Sequence, residues 1–564
     1  MGVMMEGFYS GLTSGPGNSW WDHLANQARD LATSGFTAIW LPPPLKGSAG
    51  GFSDGYDPFD DYDLGSKDQK GTIATRYGTR EALQRCVAIM RANALDVYLD
   101  LVENQRDGDD GHFNFEYKDA FGRDGGGRFR KGPIDFHPFV PQDPGVFSDQ
   151  FLFGRDLAPI NGGHPKGACG AELIAAAEWM TRALDAQGYR LDDTKGVSTF
   201  FVTKLLSSRG LADKFAVGEF ADGNVDLLKA WANAVGHRVA CFDFPLRFLL
   251  QEMCNEPDSF WMARLDQAGL AGSDPLGAVT FVENHDTDRG GIGGPIVTNK
   301  LLAYAYILTA EGYPCVFYRD YSTDPNCFGL KRSIDRLISI HERVATGRSE
   351  QRFMDGGVYA FERLGGSHLL VALNKDVGAT RTITVQTGFG ANRELQNLTD
   401  DGARRVRTDG RSQLTITVPR NAGGAGYVCY GVPTAIGAPF DRATASTTQV
   451  YEGATDLDIR PAIDGEAVQV CRVFPEPQST MRLNVQVDTS GFTEATTVRV
   501  SVKDPLGAEL ASVVVHRGTP AADLRARPVQ PGFYAIIVEA AGTPPQNRTP
   551  RYSVAVTYTA PRKP

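Results

Sequence analysis

The sequence has no tryptophan after residue 261, no closely spaced cysteine pair, no excess of positive charge and no apolar run long enough to span a bilayer. Each absence excludes something. With 57 Lys and Arg against 67 Asp and Glu the net charge is −10, so polyanions are repelled and nucleic acid is excluded as a partner. Without a hydrophobic span no membrane partner is expected, and the chain reads as soluble. The eight cysteines are scattered, which excludes a structural metal held through sulfur. Cys241 and Cys315 lie in strand-like runs, where a buried thiol packs as a small hydrophobe. Cys241 with Cys254, or Cys315 with Cys327, pair only if the compartment is oxidising. The chain is strand-like by Val3 and opens on no basic, apolar and cleavable leader. The expectation is an intracellular protein or a secreted one whose leader has been removed.

What is present is length and a repeated pattern. At roughly 150 residues per domain, 564 residues predict three or four units. Over the first 350 or so, short apolar β-rich runs alternate with helix-patterned segments, the signature of β-α units around a parallel sheet. Eight such runs occur, Val3 to Tyr9, Phe36 to Leu41, Asp96 to Val102, Tyr189 to Leu191, Phe215 to Gly218, Val239 to Phe244, Ala278 to Val282 and Pro314 to Tyr318. Eight predict an α/β fold closed as a (β/α)8 TIM barrel. Between them Leu173, Ala177, Met180 and Leu184 recur at helical spacing as one apolar stripe, and Gly188 is read as the stop of that helix.

The pattern breaks twice. Residues 105–156 are rich in Gly, Asp and aromatics without periodicity, a loop-rich B domain after strand three whose length inside a compact domain points to function. The barrel is therefore assigned to residues 1–104 and 157–350. Helical patterning then ceases, and alternating runs such as Val358 to Phe361, Leu369 to Leu373 and Leu414 to Val418 predict a small antiparallel β domain over 351–433. A second set, Leu483/Val485/Val487, Val498/Val500/Val502 and Val554/Val556/Tyr558, predicts a C-terminal β-sandwich over 434–564.

In such a barrel the reacting groups stand at the carboxyl ends of the strands. Strand three ends in Asp100-Leu-Val-Glu-Asn104-Gln105, strand four in Arg190-Leu-Asp192-Asp193-Thr-Lys195-Gly196, strand five in Gly-Glu219, and strand seven in Glu-Asn284-His285-Asp286. Breaking a glycosidic bond requires one carboxylate to attack or stabilise C1 and one carboxylic acid to protonate the departing oxygen. Retention of configuration requires them about 5 to 5.5 Å apart. Arg190, two residues before Asp192 on a strand, points to the same side and keeps it ionised, while a less polar surrounding keeps the acid protonated. By the same alternation Asp193 faces away. Taken singly, Arg-Leu-Asp is more often a surface ion pair and Asn-His-Asp a helix cap. Their joint order is far more specific.

These four motifs resemble the signature regions of the α-amylase family, glycoside hydrolase family 13, and within it the bacterial liquefying and intracellular branch. Trp40-Leu-Pro-Pro-Pro, Gly55-Tyr56-Asp57 through Gly65, Gln69 to Thr72, Phe242-Asp-Phe-Pro245 and Gly312 to Tyr318 extend the likeness over about residues 3–430. The resemblance implies Asp192 as nucleophile, Glu219 as acid/base and Asp286 as the carboxylate that distorts and stabilises the bound sugar. It places Tyr56, Asp100, Gln105, Arg190, Lys195 and His285 against the substrate, with Tyr56 as the aromatic platform. It also implies a structural calcium ion held by Asn104, Asp156 and the Gly196 carbonyl, all oxygen donors suited to a hard cation. Alternatively, Asn104 and Asp156 hydrogen-bond loop backbone. Gln105 and Gly196 depart from a frequent His; Gln105 still hydrogen-bonds but carries no charge.

The implied activity is retaining endo-hydrolysis of α-1,4-glucan in starch, glycogen or maltooligosaccharides by a chain acting as a monomer. A maltooligosaccharide-forming amylase and a transglycosylase would use the same three carboxylates. A non-catalytic glycan-binding protein on the same scaffold is disfavoured by the joint retention of costly charges. In the terminal domain Tyr451, Phe474, Tyr534 and Tyr552 are the available sugar platforms, although alternating strands more often use aromatics as core.

Overall fold

In the computed structural model the eight runs close into one parallel barrel. Its strands are β1 (Met4–Glu6), β2 (Ala38–Trp40), β3 (Asp96–Leu101), β4 (Gly188–Leu191), β5 (Phe215–Gly218), β6 (Ala240–Phe242), β7 (Ala278–Phe281) and β8 (Tyr313–Phe317). The structure describes all residues except 1, 13, 15–18, 110–111, 149–153, 401–403, 455–468 and 542–550. Each strand pairs with its neighbours in sequence, and β8 returns to β1, with Met4 set between Cys315 and Ala38. The strands are short and almost wholly buried because side chains fill the barrel on one face and helices cover the other.

The helices outside carry the expected stripes. In the helix Ala168–Leu184 the residues Leu173, Ala177, Met180 and Leu184 are all buried. Its end differs from the reading above. Asp185, at φ +50°, takes the left-handed capping position, and Gly188 is already the first residue of β4. An Asp tolerates that conformation, so the stop was assigned to the wrong residue. All eight cysteines are free thiols, seven of them buried. No helix among the described residues is long and apolar enough to cross a membrane.

The segment after β3 is anchored by charge and aromatics. Gln105–Arg106 pairs antiparallel with Arg155–Asp156, tying both ends of the excursion together. Its interior is a ring cluster of Phe59, Phe115, Tyr117 and Phe136. A Cβ on Gly127 would fall 1.8 Å from the Tyr117 ring, which explains a glycine in this loop. Among the rings Lys131, 4.7 Å from the centre of Phe115, pairs with Asp61, and Arg106 bridges Asp61 and Glu103. Burial alone would raise the Asp61 carboxyl, yet these two cations hold it down at about 2. Lys67 with Asp60 and Lys46 with Asp63 complete a set of enclosed pairs. Asp61 of the Gly55 to Gly65 motif thus fastens the loop domain to the barrel.

Beyond the barrel, a six-stranded antiparallel sheet runs from Ser349–Met354 to Tyr427–Gly431, with the hairpin Arg381–Gln386 and Gln413–Val418 beside it. Buried Arg363 locks it to the barrel by donating to the Thr309 carbonyl at 2.8 Å and the Gly347 carbonyl at 2.7 Å. Two four-stranded sheets then form the terminal sandwich, with Leu483, Val485, Val500, Val502, Val554 and Val556 inside. Ala88 and Ala92 of the helix Arg80–Ala92 belong to the same apolar cluster, and Arg472–Glu81 and Arg209–Glu452 pair across the join. Tyr451, Tyr534 and Tyr552 are buried in that core, leaving only half-buried Phe474, ring to ring with Phe533, outside it.

Removing one member of a buried ion pair strands the other. Arg106→Leu is therefore expected to cost about 3–5 kcal/mol, read as a lower urea midpoint. A midpoint equal to the wild type's would mean that Arg106 does not hold the segment after β3.

Candidate active site

Arg190 stands at the centre of the carboxyl end of the barrel. It is the penultimate residue of β4, opposite Asp100 of β3 and Val217 of β5, so its guanidinium reaches the ends of three strands. One terminal nitrogen donates to Asp100 Oδ1 at 2.8 Å and to Asp192 Oδ1 at 2.6 Å. The other forms an ion pair with Glu219 Oε2 at 2.5 Å. Two carboxylates held on one planar fork are necessarily close neighbours. Asp100 also accepts from Trp40 Nε1 at 3.1 Å and Tyr56 Oη at 3.0 Å.

Arg190 and Gln105 are 0 % exposed, Asp100 2 %, and Asp192 and Glu219 6 %. Asp100 and Arg190 bond each other beneath the two carboxylates, while Gln105 Oε1 is buried without a protein hydrogen-bond partner. Gln105 Nε2 donates to the Tyr56 carbonyl at 2.8 Å and reaches Asp192 Oδ2 at 3.3 Å. Arg190 touches the prospective acid as well as the prospective nucleophile, so it cannot alone decide which is ionised. The difference lies in the remaining partners. Asp192 has Gln105 as a second donor, while Glu219 Oε1 is buried with no protein partner.

The third strand end is built by a cap. Asn284 Oδ1 accepts from the backbone of Asp286 at 3.0 Å and of Thr287 at 2.8 Å, starting the short helix His285–Asp288. The helix-cap reading is thus correct for Asn284, and the cap is what aims Asp286. Its carboxylate pairs with Arg289 and lies 3.5 Å from His285 Nε2. His285 stacks on Tyr56 at 5.1 Å with 7° between planes. Beneath it is a residue the sequence reading missed, Glu6 of β1, whose Oε1 contacts His285 Nδ1 at 2.9 Å and accepts its backbone N–H at 3.1 Å. Nothing local in Met-Met-Glu signals this, because the partner is 279 residues away. Lys195 is held beyond Glu219 by the Ala221 carbonyl and Asp222, with its ammonium 5.2 Å from the Phe220 ring.

Asp193 does not follow strand alternation. β4 ends at Leu191, and Asp193 adopts φ +31°, which swings its N–H to Glu219 Oε2 at 3.3 Å. Its Oδ2 lies 3.0 Å from where a Cβ on Gly196 would be, a point 2.3 Å from Asn104 Oδ1. Gly196 is glycine because these oxygens fill the space. Asn104 Nδ2 in turn donates to Asp156 Oδ1 at 3.3 Å. Among the described residues no three His, Cys, Asp or Glu side chains gather as a metal cluster. Asn104 nevertheless adjoins both Asp156 and Gly196, and the orphaned buried Oδ2 of Asp193, close to Asn104 Oδ1 over Gly196, fits a hard cation.

No family model matches the chain. It is 28% identical over 469 residues to the cytoplasmic alpha-amylase of Escherichia coli (strain K12), covering 71% of this chain and 93% of that protein. It is 29% identical over 469 residues to the alpha-amylase of Geobacillus stearothermophilus, covering 71% and 84%. Among solved structures, the alpha-amylase of Geobacillus thermoleovorans complexed with acarbose superposes with a TM-score of 0.55 at 20% identity, covering 77% of this chain and 98% of that one. The chain is thus similar to bacterial alpha-amylases over about 71% of its length.

Electrostatics at this site are set by burial. Burial pushes Asp192 and Glu219 up to about 7 and Asp100 to about 6, against the pull of Arg190. Burial also works to raise Asp286, but His285, Arg289 and Arg190 hold it below the usual range. His285 is lowered by burial to about 4 and stays a neutral imidazole. The folded site therefore binds more protons than the unfolded chain. That contribution to stability is fully present below about pH 4 and is lost as pH rises through about 7. The melting temperature is expected to rise as pH falls from about 8 to about 5.5. Glu219→Gln is expected to flatten that slope, and a variant with the full wild-type slope would remove Glu219 from the responsible groups.

Proposed function

We propose that the chain hydrolyses internal α-1,4-glucosidic bonds of starch, glycogen and maltooligosaccharides by double displacement with retention. The observation that carries this reading is the shared Arg190 fork, which holds Asp192 and Glu219 side by side with Asp286 near enough for its charge to raise both. A shared fork suits the short separation of about 5 to 5.5 Å used in retention.

Asp192, ionised by Arg190 and Gln105, attacks C1 of the sugar while Glu219 delivers its proton to the departing glycosidic oxygen. Glu219 then takes a proton from water, whose oxygen attacks C1 and releases Asp192. Tyr56, backed by His285, offers its ring to the C–H face of the sugar in the cleavage position. Asp286, kept ionised, stabilises the positive charge that develops on the ring. Lys195 lies past Glu219, on the side toward which the departing chain leaves.

We also propose a calcium ion at Asn104, Asp156 and the Gly196 carbonyl. When bound, it supplies a structural tie between the end of β3, the returning strand of the loop domain and the turn after β4.

Glu219→Gln is expected to fold, to bind maltoheptaose and to lose turnover by several orders of magnitude. The anomer released first, followed by proton NMR, is expected to be α. Near-normal turnover in that variant would defeat the role of Glu219, and a first-formed β anomer would defeat retention. Since Glu219 must be protonated for the first step, kcat is expected to fall as pH rises through about 7.

A further inference from the structure

The residue after the nucleophile carries a carboxylate for which the reaction has no task. Asp193 is turned out of strand geometry by its positive φ, and the turn separates its two ends. Its N–H faces Glu219, while its Oδ2 is sealed from solvent without a hydrogen-bond partner, directed at the space over Gly196 that Asn104 Oδ1 shares. A buried carboxylate oxygen against an amide oxygen is repulsive, and neither atom can donate to the other when Asp193 is ionised. For the ionised form, a cation between them would make the arrangement favourable. Lys195, the cation nearest in sequence, is engaged by the Ala221 carbonyl and Asp222. A narrow cleft, lined by Asn104, His137, Gln142, Asp143 and Gly196, opens at this place. Asp143 is not a spare ligand there, since its two oxygens accept the backbone N–H groups of Ile160 and Asn161. His137 lends a ring nitrogen, a poor partner for a hard cation.

We infer that Asp193 is an additional anionic ligand of the cation held by Asn104, Asp156 and Gly196. The inference rests on the calcium reading above and adds to it a second negative charge and a mechanical link. The same residue that would grip the ion donates its N–H to the acid/base carboxylate, so the ion fixes the turn on which Glu219 leans. More anionic ligands raise the affinity of an oxygen site for a divalent cation, so the charge of Asp193 should be visible in binding.

The test uses the full chain, stripped with chelator and titrated with calcium chloride alone by calorimetry, alongside melting temperatures with and without the ion. Asp193→Asn keeps an oxygen donor and tolerates a left-handed backbone. Asp193→Gly removes the side chain and any strain at φ +31°. Wild type is expected to bind calcium and melt higher with it, and both variants to bind at least about tenfold more weakly while melting normally without the ion. Equal affinity in wild type and variants would overturn the role of Asp193 and leave the calcium site standing. No binding and no melting shift in wild type would overturn the calcium reading itself and this inference with it.

Discussion

One guanidinium makes the rest of the site possible. Asp100, Asp192 and Glu219 come from three strands and are enclosed by protein, where an unpaired carboxylate would cost several kcal/mol. Arg190 touches all three, and its own position is set by its place on β4, by Trp40 and Tyr56 packed on its faces at 5.0 and 5.6 Å, and by the closed barrel that fixes the neighbouring strand ends. Asp100 therefore acts through Arg190. It helps orient the buried fork whose two terminal nitrogens meet Asp192 and Glu219.

The surrounding architecture repeats this logic with different partners. Asp286 is aimed by a helix cap, Tyr56 by stacking on His285, and His285 by Glu6 from the opposite side of the barrel closure. The loop domain is positioned by enclosed Arg106 and Lys131 against Asp61, in a short stretch after β2 whose Asp60 and Asp63 are paired with Lys67 and Lys46. Several strands contribute one group each, so no single local distortion carries the reaction geometry. Rigidity follows from the fact that every group aiming a reactive side chain is itself buried and paired.

The eight strands were legible because their runs are short, apolar and regularly spaced, and a parallel sheet covered on both faces leaves that trace in sequence. Arg190 and Asp192 sharing a face was legible too, by period-two alternation carried from β4 to the residue just past its end. What failed was alternation carried one residue too far: the strand ends at Leu191, and Asp193 obeys turn geometry instead. Glu6, and the enclosure of Asp100 and Gln105, had no local signature, since contacts between residues 44 to 279 positions apart exist only once the barrel has closed. The acids of the Gly55 to Gly65 motif were visible as a pattern, but their partners Lys131 and Arg106 lie in an aperiodic loop. The docking of the sandwich on the helix Arg80–Ala92 was equally hidden, because two alanines in a helical stripe say nothing about which apolar surface covers them.

Counting charges explains why the acid is directed at the substrate and not at its neighbours. One guanidinium faces Asp100, Asp192 and Glu219, with the ionised Asp286 close by, so at neutral pH the cluster retains at least one proton. Asp192 is the poorer place for it, because two donors already point at its oxygens. Glu219 is the better one, because its Oε1 is buried and meets no donor that would compete. A proton there, however, also lacks an acceptor, and a buried polar group left unsatisfied costs about 1–3 kcal/mol. In the proposed reaction an incoming glycosidic oxygen would relieve that cost by accepting from Oε1, so that binding of the chain and placement of the acid would be one event. The strain of an incompletely satisfied carboxyl is thereby converted into orientation toward the bond to be broken.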